Sequence, residues 1–354
     1  EAGMRADVED AADGTLVRGG RVRTGTFALP LRRPGLERAD GFGCALLRPL
    51  MPLRRREWFG FGVATPDLVL GTLTLGVGPV AYSGLYVFER ATGALWERGF
   101  PAFGPERARI ATGPWDDRTL AVSGRARVAY RHLLSRGRHE VSIDLPAAGD
   151  APPIQAGFAM LEDPARVPPL VVSVPVTGRW WMYTHKAWAP VAGEVRVGDR
   201  TYRLDPARDL ANLDEHRAAY PWTQDWTWAT FGGRDASGRL LAANLCANRH
   251  YADPDGGNEN RLWVGDRLDP LGAVAFALDP RHPLRPWTVN DARGAVDLAF
   301  HPEGAKHQHT RIGPARLDYF QVFGHWRGRV VDADGATHAV RDLPGLAEQG
   351  VGRN

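Results

Sequence analysis

Residues 213–233 read LDEHRAAYPWTQDWTWATFGG. Trp222, Trp226 and Trp228 fall close together, and Asp214, Glu215, His216, Arg217 and Asp225 stand beside them. Flat apolar surface beside titratable groups suits a particular chemistry. Burial penalises the charged form of a carboxyl and raises its pKa, which makes it a general acid near neutral pH. Indole π faces stabilise a nearby cation. Together they could protonate a hydrocarbon double bond. If 222–228 is extended, all three indoles point the same way. A plainer reading also fits: a wide β-barrel must fill its core, and Asp214 is then a helix cap or a partner of Arg217.

Two other segments carry similar chemistry. In WWMYTHKAWAP (180–190) an extended chain puts Trp181, Tyr183 and His185 on one face and Met182, Thr184, Lys186 and Trp188 on the other. This is either a pocket wall with His185 or Lys186 facing a ligand, or a barrel strand with one satisfied histidine. Lys186 and Lys306 are the chain's two lysines, among 44 basic residues. Either a G+C-rich genome that favours arginine codons explains their scarcity, or a compact ammonium is wanted at these two places where an arginine fork would not serve. In NLCANRHYADPDGGNENRLW (244–263), Asn244, Asn248, Asn258 and Asn260 offer two-way hydrogen bonds beside His250 and Glu259. Turn chemistry explains the asparagines equally well. The acid–base candidates are therefore Asp214, Glu259 and His185. The ligand-binding candidates are Tyr183, Lys186, Arg217, Tyr220, Trp222, Trp226, Trp228, Asn244 and Asn258.

His185, His216 and His250 could meet Glu259 or Asp214, and HQH (307–309) aligns two imidazoles, but neither has a spacing such as H-E-x-x-H. No metal is expected. The sequence has no P-loop, no G-x-S-x-G elbow and no G-x-G-x-x-G with a helix pattern behind it. These absences disfavour NTP hydrolysis, α/β-hydrolase chemistry and dinucleotide redox, so any reaction is expected to be cofactor-independent.

The elements that must position these residues are strands. The chain's 41 Gly and 27 Pro break it often, and short alternating stretches lie between the breaks. VRVGDRTYRL (195–204) reads as a hairpin about Gly198-Asp199, and RVVDADGATHAV (329–340) as one about Asp334-Gly335. VFERATGALWE (87–97), FGGRDASGRLLAANL (231–245) and GAVDLAFHPEG (294–304) read as strand, turn, strand. DPARDLANLDEHRAAYP (205–221) has room for a helical turn or two. The pattern predicts an all-β protein of sandwich or barrel type. At 354 residues the chain is too long for one ordinary core. The proline-rich LEDPARVPPL (161–170) marks a boundary between domains at 1–165 and 171–354.

The net charge of +3 comes from basic residues spread along the chain and matched by 41 acids, not from a stripe, so no nucleic-acid partner is expected. LRRPGLER (31–38) and LRRRE (53–57) are the densest basic runs. They are either solvated loops or a patch for an anion or lipid headgroup. No apolar run approaches the roughly 18 residues of a membrane span, and no secretory opening is seen. A cytoplasmic protein with at most peripheral membrane contact is expected. Two cysteines, Cys44 and Cys246, are too few for a disulfide framework and fit a reduced setting.

Several ordered blocks resemble a bacterial family known as domain of unknown function 2804. They are YTHKAWAPVAGEVRVGDRTYRL, LDEHRAAYPWTQDWTWAT, NLCAN, NEN with Trp263, AVDLAFHPEG, and YFQVFGHWRGRVVDADG with the closing LPGLAEQGVGR. REWFGFGVATPDLVLGTLTLG and YVFERATG resemble its N-terminal half. The family is distantly similar to hydroxyneurosporene synthase, a carotenoid hydratase, and to tocopherol cyclase. The resemblance implies two tandem lipocalin-like β-barrel domains, a deep apolar cavity near their junction, and acid chemistry on isoprenoid-like double bonds. There are departures. The family pattern has a Trp and then an Arg-Gly pair after the Asp that matches Asp214, where this chain has Glu215, Arg217 and Ala218. Cys246, Ala247 and Asn248 replace a Gly-rich run, and Asn258 stands where a Thr is common. These changes imply a different substrate or a lost activity.

Three functions follow as expectations. The first is an enzyme that hydrates, cyclises or isomerises a small hydrophobic, isoprenoid- or polyketide-like molecule in a Trp-lined cavity of the second domain. The second is a lipid or pigment carrier. The third is a carbohydrate-binding or -processing protein.

Overall fold

The stretches that alternate in the sequence pair as antiparallel hairpins. In a computed structural model that describes residues 8–9, 15–40, 45–77, 80–312 and 315–353, Trp181–Val197 turns through Gly198-Asp199 into Arg200–Leu204. Ala315–Val331 turns back through Asp334-Gly335 into Thr337–Arg353. Val80–Glu89 pairs with Ala94–Phe103, and Thr223–Arg234 with Leu240–Asn248. Cys44 lies outside the described residues.

The strands form two large sheets. The first, of 15 strands, runs from Ala94–Phe103 through Val80–Glu89, Leu68–Val77, Arg55–Ala64, Leu210–Ala219, Trp181–Val197, Ile154–Met160, Arg138–Leu145 and Ala126–Leu133 to Asp117–Ser123 and Ala108–Arg109. It curls until Asp117–Ser123 meets Ala94–Phe103 and the barrel nearly closes. The second, of nine strands, is a half-barrel centred on Thr223–Arg234, Thr337–Arg353, Ala315–Val331 and Val296–Ile312. The protein is all-β with two β units, as expected.

Three local expectations are corrected. The sheets do not part at 161–170: Ile154–Met160 before that stretch and Trp181–Val197 after it are neighbours in the first sheet. The chain passes to the second sheet at 220–222, between Leu210–Ala219 and Thr223–Arg234. Residues 205–221 are not helical beyond a turn; Leu210–Ala219 is a strand. It is central and covered on both faces, so it lacks the polar alternation that marks a half-exposed strand. Residues 294–304 do not fold back either. Val296–Ile312 is one long strand, with a bulge between Pro302 and Gly304 where a hairpin turn was expected.

Four apolar clusters result among the described residues, one of them where Leu16, Phe27 and Leu31 of the N-terminal segment pack on Trp181 and Tyr183. Phe59, Phe61, Tyr130, Val141 and Phe158 fill the closed barrel. Phe231, Trp287, Phe300 and Trp326 fill the half-barrel, with Phe300 and Trp326 centroids 4.7 Å apart. Met182, Trp188, Tyr220, Trp228, Trp263 and Phe323 form a seam between the outer faces of the two sheets. Two glycines let indoles lie flat in this seam. A Cβ on Gly232 would collide with the Trp188 ring, and one on Gly350 with the Trp226 ring.

Candidate functional site

Strand parity divides the candidate residues between two places. On Trp181–Val197, His185 faces the barrel interior and Lys186 faces the seam. On Leu210–Ala219, Glu215 and Arg217 face in, while Asp214 and His216 face out.

In the seam, Lys186 Nζ lies 3.0 Å from Glu259 Oε2, 3.4 Å from Asp214 Oδ1 and 4.4 Å from the Trp228 ring centroid. The Trp58 indole N–H donates to Asp214 Oδ2 (3.1 Å), and the Tyr251 hydroxyl donates to Glu259 Oε1 (2.9 Å). Trp228 Nε1–H donates to Asn244 Oδ1 (2.7 Å), and Asn244 Nδ2 donates to the Glu259 carbonyl (2.8 Å). Asn244 thus ties the indole to the acid's backbone. Tyr220 packs beside them, its hydroxyl 2.6 Å from His216 Nε2, and the His216 ring stacks on Trp58 at 4.1 Å. From the second sheet, Glu348 accepts hydrogen bonds from Trp226 Nε1 (3.0 Å), the Tyr319 hydroxyl (2.6 Å) and Gln321 Nε2 (2.8 Å).

The electrostatics assign protonation states. Burial would raise the Glu259 carboxyl, but the Lys186 ammonium, helped by the Tyr251 hydrogen bond, holds it below its ordinary value. Glu259 is therefore a carboxylate, the form that accepts a proton. Burial would lower Lys186, but Asp214 and Glu259 outweigh it and keep the amine protonated. Burial pushes His216 down to about 4, so its imidazole is neutral. Glu348 is the seam carboxyl that burial raises. Asp214 Oδ1 is buried and accepts no hydrogen bond from any described residue, although the Asp214 side chain is 20% exposed overall. A buried oxygen without a donor is uncommon.

Sequence reasoning missed Glu348, Trp58, Tyr251 and Tyr319. Nothing in LPGLAEQGVGR marks Glu348, because its three donors come from two neighbouring strands.

Inside the barrel His185 belongs to a different arrangement. Ala111 N–H donates to Thr119 Oγ1 (3.1 Å), which lies 3.2 Å from His132 Nε2. His132 Nδ1 lies 3.2 Å from His139 Nδ1, and His139 Nε2 lies 2.8 Å from Glu162 Oε2. Glu162 Oε1 is 2.9 Å from His185 Nε2, and His185 Nδ1 is 3.2 Å from Glu215 Oε2. Arg217 then donates to Glu215 Oε1 (3.0 Å), Glu57 Oε1 (3.0 Å) and the Ala111 carbonyl (2.6 Å). One proton arrangement satisfies this chain. Burial keeps His132 neutral, so it takes the Thr119 proton on Nε2 and donates from Nδ1 to His139, which donates to Glu162. Burial would lower the imidazolium of His185, but Glu162 and Glu215 more than offset it and raise its pKa to about 9. Negative and positive groups then alternate from Glu162 to Glu57.

A stability profile follows. His185 has a folded pKa above its unfolded value, so its contribution is complete below about pH 6.5 and is lost as the pH rises through about 9. Glu162 is held below its ordinary value, so its contribution disappears as the pH falls. Chemical denaturation should show a loss of roughly 3 kcal/mol between pH 6.5 and 9. A flat profile there would remove the imidazolium from this account.

The remaining candidates lie elsewhere. Tyr183 packs against the N-terminal segment, and its hydroxyl accepts from Leu31 N–H (3.0 Å). Arg217 is bound up in the barrel, paired with Glu215 and Glu57 and not with Asp214. Asn258 is a turn residue whose Nδ2 donates to the Pro254 and Asp255 carbonyls. Trp222 does not share a wall with Trp226 and Trp228; it precedes the strand and is 61% exposed. Trp226 and Trp228 face the seam, and not the half-barrel interior that was expected to be hollow. Among the described residues no group of three or more His, Cys, Asp and Glu is arranged to hold a metal ion.

Two openings border the seam. A groove of about 630 Å³ lies where the sheets meet, with Trp188, Leu210 and Trp263 at its base and Arg166, Arg234 and Asp266 among its exposed lining. A smaller one, about 230 Å³, is lined by Asp225, Cys246, Asn248, Arg249 and Tyr251. Through Tyr251 the smaller opening reaches Glu259.

Residues 12–353 match the family described as Domain of unknown function (DUF2804). The chain belongs to that family. As a DUF2804 protein it has no match among curated proteins. Among solved structures it is similar to kievitone hydratase from Nectria haematococca, at 12% identity over 84% of this chain and 88% of that one, with a TM-score of 0.47. It is also similar to a candidate AttH from Nitrosomonas europaea, at 13% identity over 85% and 92% of the two chains, with a TM-score of 0.44.

Proposed function

We propose that this DUF2804 protein is an enzyme that hydrates, cyclises or isomerises a hydrophobic small molecule, with Asp214 in the seam as its proton-transfer group. Asp214 Oδ1 carries this reading: it is ion-paired to Lys186 at 3.4 Å but accepts no hydrogen bond from a described residue. Trp58 fixes the other oxygen, so a ligand hydroxyl would supply the hydrogen bond that Oδ1 lacks beside its ion pair with Lys186. Lys186 and Trp228 lie beside it, one to balance the carboxylate and the other to offer a π face to positive charge. Glu259 anchors Lys186 and positions it. The isoprenoid- or polyketide-like class rests on the resemblance of the sequence blocks and the aromatic walls.

Mass spectrometry of a solvent extract of the purified protein identifies the ligand. With that compound, Asp214→Asn should lower turnover by about 10²- to 10⁴-fold while retention of the compound is unchanged. Full turnover in that variant would end the proposal and leave a carrier. The groove at the sheet junction favours a second reading. It is open and its lining is partly charged, which suits a carbohydrate whose hydroxyls meet Arg166, Arg234 and Asp266. A polar compound in the same extract would support that reading over the first.

A further inference from the structure

Several exposed apolar side chains gather at one end of the molecule. Leu46 is 87% exposed, Leu50 46%, Trp222 61% and Val351 46%. The chain ties them together. Leu50 leads into Met51–Arg54. The Arg54 guanidinium sits over both Trp180 (5.1 Å) and Trp222 (4.6 Å) and donates to the Tyr220 carbonyl (2.5 Å). Thr223 pairs with Arg353, and Asp225 with Val351.

Cations ring the same end. Arg179 precedes Trp180, Arg316 pairs in register with Arg353, and Arg249 follows the strand beside Asp225; all four of these arginines are exposed. Of the acids nearby, Asp225 pairs with Arg249 at 3.6 Å, Asp318 with His309 at 3.0 Å and Asp255 with Arg293 at 3.9 Å, while the exposed Asp253 is held by the N–H groups of its own turn. A surface with indole and leucine at its centre and arginine around it matches an anionic bilayer interface. The indole sits at headgroup depth, the leucines go below it, and the guanidiniums meet lipid phosphates.

We propose that this end docks on the surface of an anionic membrane. The smaller opening lies within it: Asp225 and Arg249 line that opening, and Tyr251 on its wall hydrogen-bonds Glu259. A docked molecule therefore turns the acidic part of its seam toward the lipid from which a hydrophobic compound would be taken.

Flotation with vesicles tests this without any substrate. The protein should rise with phosphatidylcholine vesicles that contain phosphatidylglycerol, at least about tenfold more than with phosphatidylcholine alone, and high salt should release it. The double variant L46E/W222E should lose at least about fivefold of the bound fraction with an unchanged unfolding midpoint. R249Q/R353Q should lose the preference for phosphatidylglycerol. Asp214→Asn should float like the parent chain, so failure of the catalytic reading and failure of docking are separate results. A parent chain that stays in the dense fraction with phosphatidylglycerol vesicles, or an L46E/W222E variant that floats as well as the parent, overturns the proposal.

Discussion

Glu215→Gln will destabilise the protein by about 3–5 kcal/mol. The carboxylate bridges the His185 imidazolium and the Arg217 guanidinium inside the closed barrel, and it is fully buried. Removing its charge leaves two cations with less than their full complement in a low-dielectric interior. Glu162 still faces His185, and Glu57 still faces Arg217, so the barrel should survive with a lower denaturation midpoint. His185 will respond by titrating below its present value of about 9, which imidazole NMR reads directly. The contrast is Glu140→Gln. Glu140 pairs with Arg131 at 2.8 Å, but those side chains are 29% and 64% exposed. That change should cost no more than about 1 kcal/mol. Equal costs at the two positions would mean that the buried chain of charges has no special weight.

Lys186→Met should have an effect of similar size and opposite pH slope. Lys186 is the cation shared by Asp214 and Glu259. Without it Glu259 is a buried carboxylate with only neutral donors, and the cost at neutral pH is about 3–5 kcal/mol. In the parent chain Glu259 is held below its ordinary value, so its contribution is lost as the pH falls. In the variant burial outweighs the Tyr251 hydrogen bond and the nearby Arg261 charge and raises that pKa above the unfolded value. Stability is then regained on acidification and lost as the pH rises through the new pKa. Urea denaturation at pH 5 and pH 7 decides: the parent keeps its Glu259 contribution at both, so a variant whose deficit against the parent is as large at pH 5 as at pH 7 would contradict the ion-pair account.

Much of this fold could be read from the sequence, because turn chemistry is local. Gly198-Asp199 and Asp334-Gly335 mark their hairpins whatever surrounds them. The two faces of Trp181–Val197 also follow from parity alone. What parity cannot reveal is which face meets what. Both faces of Leu210–Ala219 are covered, so Asp214 and Glu215 look alike in the sequence, yet one lies in the seam and the other in the barrel. For the same reason the Trp226 and Trp228 side chains read as lining a hollow in the second unit when they pack on the outer face of its sheet. Glu348 owes its role to register between distant strands, and Glu162 to the loop that follows Ile154–Met160; no short motif encodes either. Asp214, Glu259, Lys186, Trp228 and Asn244 come together in the seam; His185 and Arg217, close to them in the chain, lie on the other side of the sheet.

The order of strands in the first sheet has a consequence for how the protein is made. Arg55–Ala64 lies beside Leu210–Ala219, and Ile154–Met160 beside the far end of Trp181–Val197. The strands that emerge first from the ribosome therefore wait, with open edges, until the middle of the chain arrives to join them. Such late, long-range pairing makes folding slow and exposes unpaired edges to aggregation. A nascent chain that stops at 165 has both flanks of a barrel and nothing to bridge them.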